Sequence, residues 1–136
     1  MSAEHEHAPF EVSAHPADGS GRPVDRELLG RFIGAGFDGC ARCRNALLAL
    51  MAEDAATTVR LVELACVAIH HAFAGLPLSL VDSQAPGPGA AAFRCVVHAG
   101  LGGAHAAMLR ECDRMTPGQR RAAAETAADL LIGELT

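Results

Sequence analysis

The stretch from Thr57 to Ala74, TTVRLVELACVAIHHAFA, places Val59, Val62, Cys66, Ile69 and Phe73 at intervals of three and four residues. That spacing lines them along one face of an α-helix and would scatter them over both faces of a strand. Gly75 is a natural C-terminal stop, and Pro77, which has no N–H to donate, prevents continuation.

The same period recurs on both sides of this segment. From Val24, Asp25 is a candidate N-cap, and Leu28, Leu29, Phe32 and Ile33 share a face. Gly34 and Gly36 are expected to end that helix. Asp38 is expected to cap a second helix reaching about Ala52, with Cys40, Cys43, Leu47 and Leu50 as its buried stripe and Met51 beside it. Thr116-Pro117-Gly118-Gln119 reads as a capping box with proline at the first helical position. It opens a last helix with Ala123, Ala127, Leu130 and Leu131 facing inward.

Residues 90 to 114 leave alternatives open. As one helix they carry a stripe of Phe93, Val97, Leu101, Ala104 and Met108. Gly100, Gly102 and Gly103 each cost about 1 kcal/mol there relative to Ala, which favours a break into two helices. FRCVVH can also be read as a strand and GLGG as a turn into a helix. QAPGPG, just upstream, is a loop by its dipeptide chemistry.

These readings make the chain an all-α bundle of four to five helices over residues 23 to 136. A disordered arm over residues 1 to 22 precedes it, rich in His and Pro and without periodicity. Half of the residues are apolar, and the five Phe are the only aromatics. Small side chains fill little volume, so the helices must approach closely. Such a core can also be completed by a second copy, which makes a homodimer one expectation.

Charge and hydropathy remove some functions. Net charge is −5, all eleven basic residues are Arg, and no basic stripe is visible, which argues against a nucleic-acid partner. The longest apolar run, LVELACVAIHHAFAGLPLSLV, contains Glu63, two His and Pro77, so no membrane span is expected. The N-terminus has no apolar core of a signal peptide, and the expected location is cytoplasmic. Five cysteines in that compartment are free, metal-bound or redox-active rather than structural disulfides.

Those cysteines and the histidines carry the candidate chemistry. Cys40 and Cys43 share a helix face at i, i+3, and Cys66 and His70 share one at i, i+4. Cys95, His98, His105 and Cys112 form a stripe if residues 90 to 114 are continuous. Zn2+ takes four thiolate or imidazole ligands, which facing helices of a bundle can donate, and Cu+ also favours thiolates. The leading expectation is a metal-binding protein, zinc before copper, structural or sensory. Its ligands are drawn from Cys40, Cys43, Cys66, His70, Cys95 and His98. His5 and His7 of the arm would add weak accessory binding, and His71 reads as exposed.

A second expectation is thiol redox. Asp38-Gly39 sets Cys40 near a helix N-terminus, where the macrodipole and free N–H groups stabilise thiolate. The segment GCARCRNALLALMAEDA, about 17 residues, resembles the CxxC helix of the alkylhydroperoxidase D/carboxymuconolactone decarboxylase family. The resemblance implies an all-α fold and a redox pair of Cys40 and Cys43. That family's proton relay has a His four residues after the second Cys and an upstream Glu; Leu47 and Ala35 occupy those places here.

A third expectation is an interaction module without small-molecule chemistry, since cysteine packs well as a small hydrophobe and needs no chemical role in an Ala-rich core. Whether the chain is an enzyme is left open by these features. AGLGGAH does not meet the G-x-G-x-x-G dinucleotide pattern, and no nucleophile elbow accompanies Ser79, Ser83 and Asp82.

Overall fold

A computed structural model of the chain describes residues 24–73, 91–100 and 105–135, with the side chains of residues 71–73, 105 and 134–135 left aside. The expected arm over residues 1 to 22, the QAPGPG loop, the Gly75–Pro77 stop and most of GLGG lie outside the described residues. Among the described residues there are six helices and no strand, an all-α bundle-like fold. They are α1 (Arg26–Phe37), α2 (Ala41–Met51), α3 (Ala55–Phe73), α4 (Ala91–Ala99), α5 (His105–Arg114) and α6 (Pro117–Leu135).

The central element is α3. From Ala55 to Val62 every residue is buried, so its first two turns have no solvent face. Its most extensive packing is against α6, with α5, α4, α1 and α2 around it. The apolar stripe read from the sequence faces the core at Val59, Val62 and Ile69, with Cys66 packed against its edge. Phe32, Phe93, Leu29, Ile33, Leu48 and Met51 supply the largest remaining core side chains.

Helix starts follow local chemistry. Asp25 caps α1 by accepting from Leu28 N–H at 3.0 Å. Thr116 N–H donates to Gln119 Oε1 at 2.9 Å and Gln119 N–H donates to Thr116 Oγ1 at 3.2 Å, the expected capping box of α6. For α3 the cap is Asp54, whose Oδ1 accepts from Thr57 N–H at 3.0 Å. Thr57 therefore lies inside the first turn. Its hydroxyl donates to Asp54 Oδ2 at 2.8 Å and accepts from Asp25 N–H at 2.9 Å, which satisfies a fully buried polar group and joins the starts of α1 and α3.

Three sequence expectations change. Gly34 and Gly36 do not end α1, which continues to Phe37; Gly34 is buried, and a Cβ on Gly36 would meet the tip of Ile132. Gly36 serves close approach to α6 rather than termination. Asp38 is the C-cap of α1 rather than the N-cap of α2. Leu50 is 58 % exposed, because α2 buries the narrower face of Leu47, Leu48 and Met51. The segment around Gly100 is broken: α4 stops at Ala99, and α5 begins at His105.

Arg120 ties the start of α6 to the ends of α2 and α5. Its guanidinium donates to the carbonyls of Ala52 at 2.6 Å, Cys112 at 2.9 Å and Met115 at 2.7 Å. These are carbonyls that the ends of α2 and α5 leave without an intrahelical donor.

Candidate functional site

The turn between α1 and α2 builds the site. Gly39 has φ +69°, the left-handed region that glycine enters at no steric cost. Gly39 N–H donates to Gly36 O, and Cys40 N–H donates to Ala35 O, both at 3.1 Å. This pair of bonds is the Schellman closure of α1. Cys40 is at once the residue that completes that closure and the N-cap of α2. Its carbonyl accepts the first α2 bond, from Arg44 N–H at 3.0 Å.

At φ −86°, ψ 91° Cys40 has extended backbone, and its side chain gives α2 no capping hydrogen bond. The first turn of α2 thus starts from a residue whose sulfur, as a neutral thiol, is a weak acceptor. As thiolate it becomes a far better one, and the helix dipole favours the same charge.

Cys43 follows one turn into α2, half-buried against the core. Its pKa is raised, by partial desolvation first, then by a hydrogen bond with Cys40 and by repulsion from a Cys40 charge; Arg42 and Arg31 oppose the rise. The two cysteine side chains are hydrogen-bonded to each other. Both cysteines are free thiols.

Arg44 anchors this corner, donating to Asp129 Oδ1 at 2.6 Å and to the Glu125 carbonyl at 3.5 Å on α6. Arg31 and Arg42 remain exposed.

The other sequence candidates stand elsewhere. Cys66 and His70 lie on the later turns of α3, with Cys66 half-buried and His70 exposed. Burial, then the Glu63 charge, pushes the Cys66 thiol up to about 11. Cys112 is fully buried on α5, where desolvation pushes it up to about 12 against the pull of Arg120. Cys95 and His98 belong to α4, half-buried and exposed respectively. The side chains of His71 and His105 lie outside the described residues. Among the described residues no three His, Cys, Asp or Glu side chains are grouped closely enough to hold a metal ion. Of the six expected ligands, Cys40 and Cys43 are hydrogen-bonded to each other.

Cys95 borders a cleft of about 600 Å3 with Ala91, Ala92, Thr116 and Gln119. Glu111 and Arg114 on its wall pair with each other at 3.7 Å. The cleft sits at the start of α6, while Arg44 and Asp129 mark the thiol corner 13 residues further on. At 1.5 Å per residue the two are about 20 Å apart.

Two features of this site escaped the sequence reading: the dual role of Cys40 as closure and cap, and the proximity of Arg31. The glycine after Asp38 was the available signal for the first, since Gly at C′ marks a left-handed helix stop. No helix of the described residues is long and apolar enough to cross a membrane. Comparisons with protein-family models, with curated protein sequences and with solved structures return no match.

Proposed function

We propose that this protein is a small thiol–disulfide exchange protein acting through Cys40 and Cys43. The observation that carries this reading is the hydrogen-bonded pair of free thiols at the N-terminus of α2. The N-cap position of Cys40 supports its role as attacking sulfur, and the protonated, hydrogen-bonding Cys43 suits the role of resolving thiol.

In the oxidative direction the Cys40 thiolate attacks one sulfur of a partner disulfide. An S–S bond forms between Cys40 and that sulfur, the partner's own S–S bond breaks, and one thiolate leaves. The leaving thiolate or solvent accepts the Cys43 proton. The Cys43 sulfur then attacks Cys40, releasing the second partner thiol and leaving a Cys40–Cys43 disulfide. Two protein thiols are oxidised and one partner disulfide is reduced to two thiols, and the reverse sequence reduces the protein.

The test uses 2-hydroxyethyl disulfide, a small neutral probe. The Cys43→Ser variant is expected to accumulate a mixed disulfide on Cys40, detected by intact mass, and Cys40→Ser to accumulate none in the same time. Equal trapping by both variants contradicts the proposal.

A further inference from the structure

Resting on the thiol-exchange reading, we infer that the partner of the Cys40–Cys43 pair is an anionic, carboxylate-bearing thiol or disulfide, which Arg31 and Arg42 hold beside the sulfurs. Three guanidinium groups stand around the motif, and they are not equivalent. Arg44 is committed to Asp129 and the Glu125 carbonyl on α6. Arg31 and Arg42 are exposed, and neither has an ion-pair partner among the described residues.

Their placement follows from the backbone. Arg42 occupies the first turn of α2, between the two cysteines in sequence. Arg31 stands one turn before Ala35 on α1, and it is the Ala35 carbonyl that receives Cys40 N–H. Two different helices therefore bring positive charge to Cys43. Among the described residues, these two guanidinium groups are the charges that oppose the rise in the Cys43 pKa, while the Asp129 carboxylate at this corner is taken up by Arg44. The chain as a whole carries −5, so a local positive corner runs against the general field and discriminates against cationic partners. Guanidinium suits carboxylate because its fork of N–H donors matches two oxygens.

The experiment compares exchange rates of the full chain with three probes of one chemistry and different charge. Glutathione disulfide is anionic, 2-hydroxyethyl disulfide is neutral and cystamine is cationic. The wild-type protein is expected to prefer glutathione disulfide over cystamine at low salt. Arg31→Gln and Arg42→Gln are each expected to lower the glutathione disulfide rate about threefold, and the double variant about tenfold, as exposed charge contacts do. The neutral probe should change less than about twofold by the same reasoning. Arg31→Lys with Arg42→Lys should keep most of the preference at 10 mM salt. Raising salt to 150 mM should shrink it, as the screening length falls from about 30 Å to about 8 Å.

If the double Gln variant leaves the ratio of anionic to neutral rates unchanged, the inference is wrong while the exchange function stands. If none of the three probes reacts at Cys40 in the wild type, both fall together. A loss on all three probes in equal measure also overturns the inference, because it assigns the arginines to the reactivity of the sulfur and not to the partner's charge.

Discussion

Cys40 and Cys43 sit at a helix start, in contact with each other and within the field of two exposed arginines. Cys112 is fully buried among aliphatic side chains, and Cys66 is half-buried at the core's edge. The same functional group is placed in one chain in two environments. At the corner, the Arg42 and Arg31 charges oppose the rise that desolvation and Cys40 impose on Cys43; on α5, desolvation outweighs the pull of Arg120 on Cys112. The chemistry of a cysteine here is decided by what surrounds it, and Cys112 packs as a core residue.

The widest gap between the two regions is in reactivity. A thiol pushed up to about 12, as Cys112 is, is only about 10⁻⁴ thiolate at pH 8, and thiolate is the reacting form. Iodoacetamide at pH 8 is expected to modify Cys40 at least about 10³ times faster than Cys112, read by peptide mass mapping over time. Comparable rates would erase the comparison.

The second difference appears as alkaline instability. Cys66 and Cys112 have folded values of about 11 and about 12 against an ordinary 9.0. Above pH 9 the unfolded chain gives up these protons while the folded chain keeps them. Stability therefore falls as pH rises from about 9 toward 11–12, by at most about 1.4 kcal/mol per pH unit for each thiol. Below pH 9 the two thiols contribute no such slope. Urea midpoints at pH 8 and pH 10.5 measure the loss, and Cys112→Ala should flatten it; an unchanged slope in that variant would show that the interior thiol is not desolvated.

Substitution by serine sharpens the contrast further. Cys112→Ser puts a hydroxyl into an apolar site and should cost about 1–3 kcal/mol of stability. Cys43→Ser, beside solvent and another polar group, should cost less than about 0.5 kcal/mol. Denaturant melts of the two variants decide this, and a larger cost at Cys43 would reverse the assignment of roles.

The smallest effect lies in the turn itself. Gly39→Ala forces a Cβ into the left-handed region occupied at φ +69° and should cost about 1 kcal/mol. Because Cys40 completes the same turn, exchange with 2-hydroxyethyl disulfide should slow as well. A variant that loses stability but keeps full exchange would uncouple the cap from the chemistry.

How much of this was legible beforehand depended on how local the cause was. The Asp25 cap and the Thr116–Gln119 box were readable because residues three apart satisfy each other. The stripe of Val59, Val62 and Ile69 was readable because helical period reports a buried face. The exposure of Leu50 was not, since α2 is half covered and which half depends on α6 and α1. Nor was the roll of cysteines separable by spacing alone. Cys112 occupies a helical position as regular as those of Cys40 and Cys43, and tertiary burial alone sets it apart. Asp54 was overlooked as a cap because two threonines follow it, and both are buried inside the helix they seemed to start.

A redox titration of the full chain in glutathione buffers, read by intact mass after acid quenching and alkylation, addresses the pair itself. The account predicts a reversible loss of two hydrogen atoms (two protons and two electrons) confined to the peptide carrying Cys40 and Cys43, with a midpoint between about −270 and −120 mV, the span of known dithiol exchange proteins. A pair that stays reduced across that whole span, or oxidation that involves Cys66, Cys95 or Cys112 instead, would contradict it.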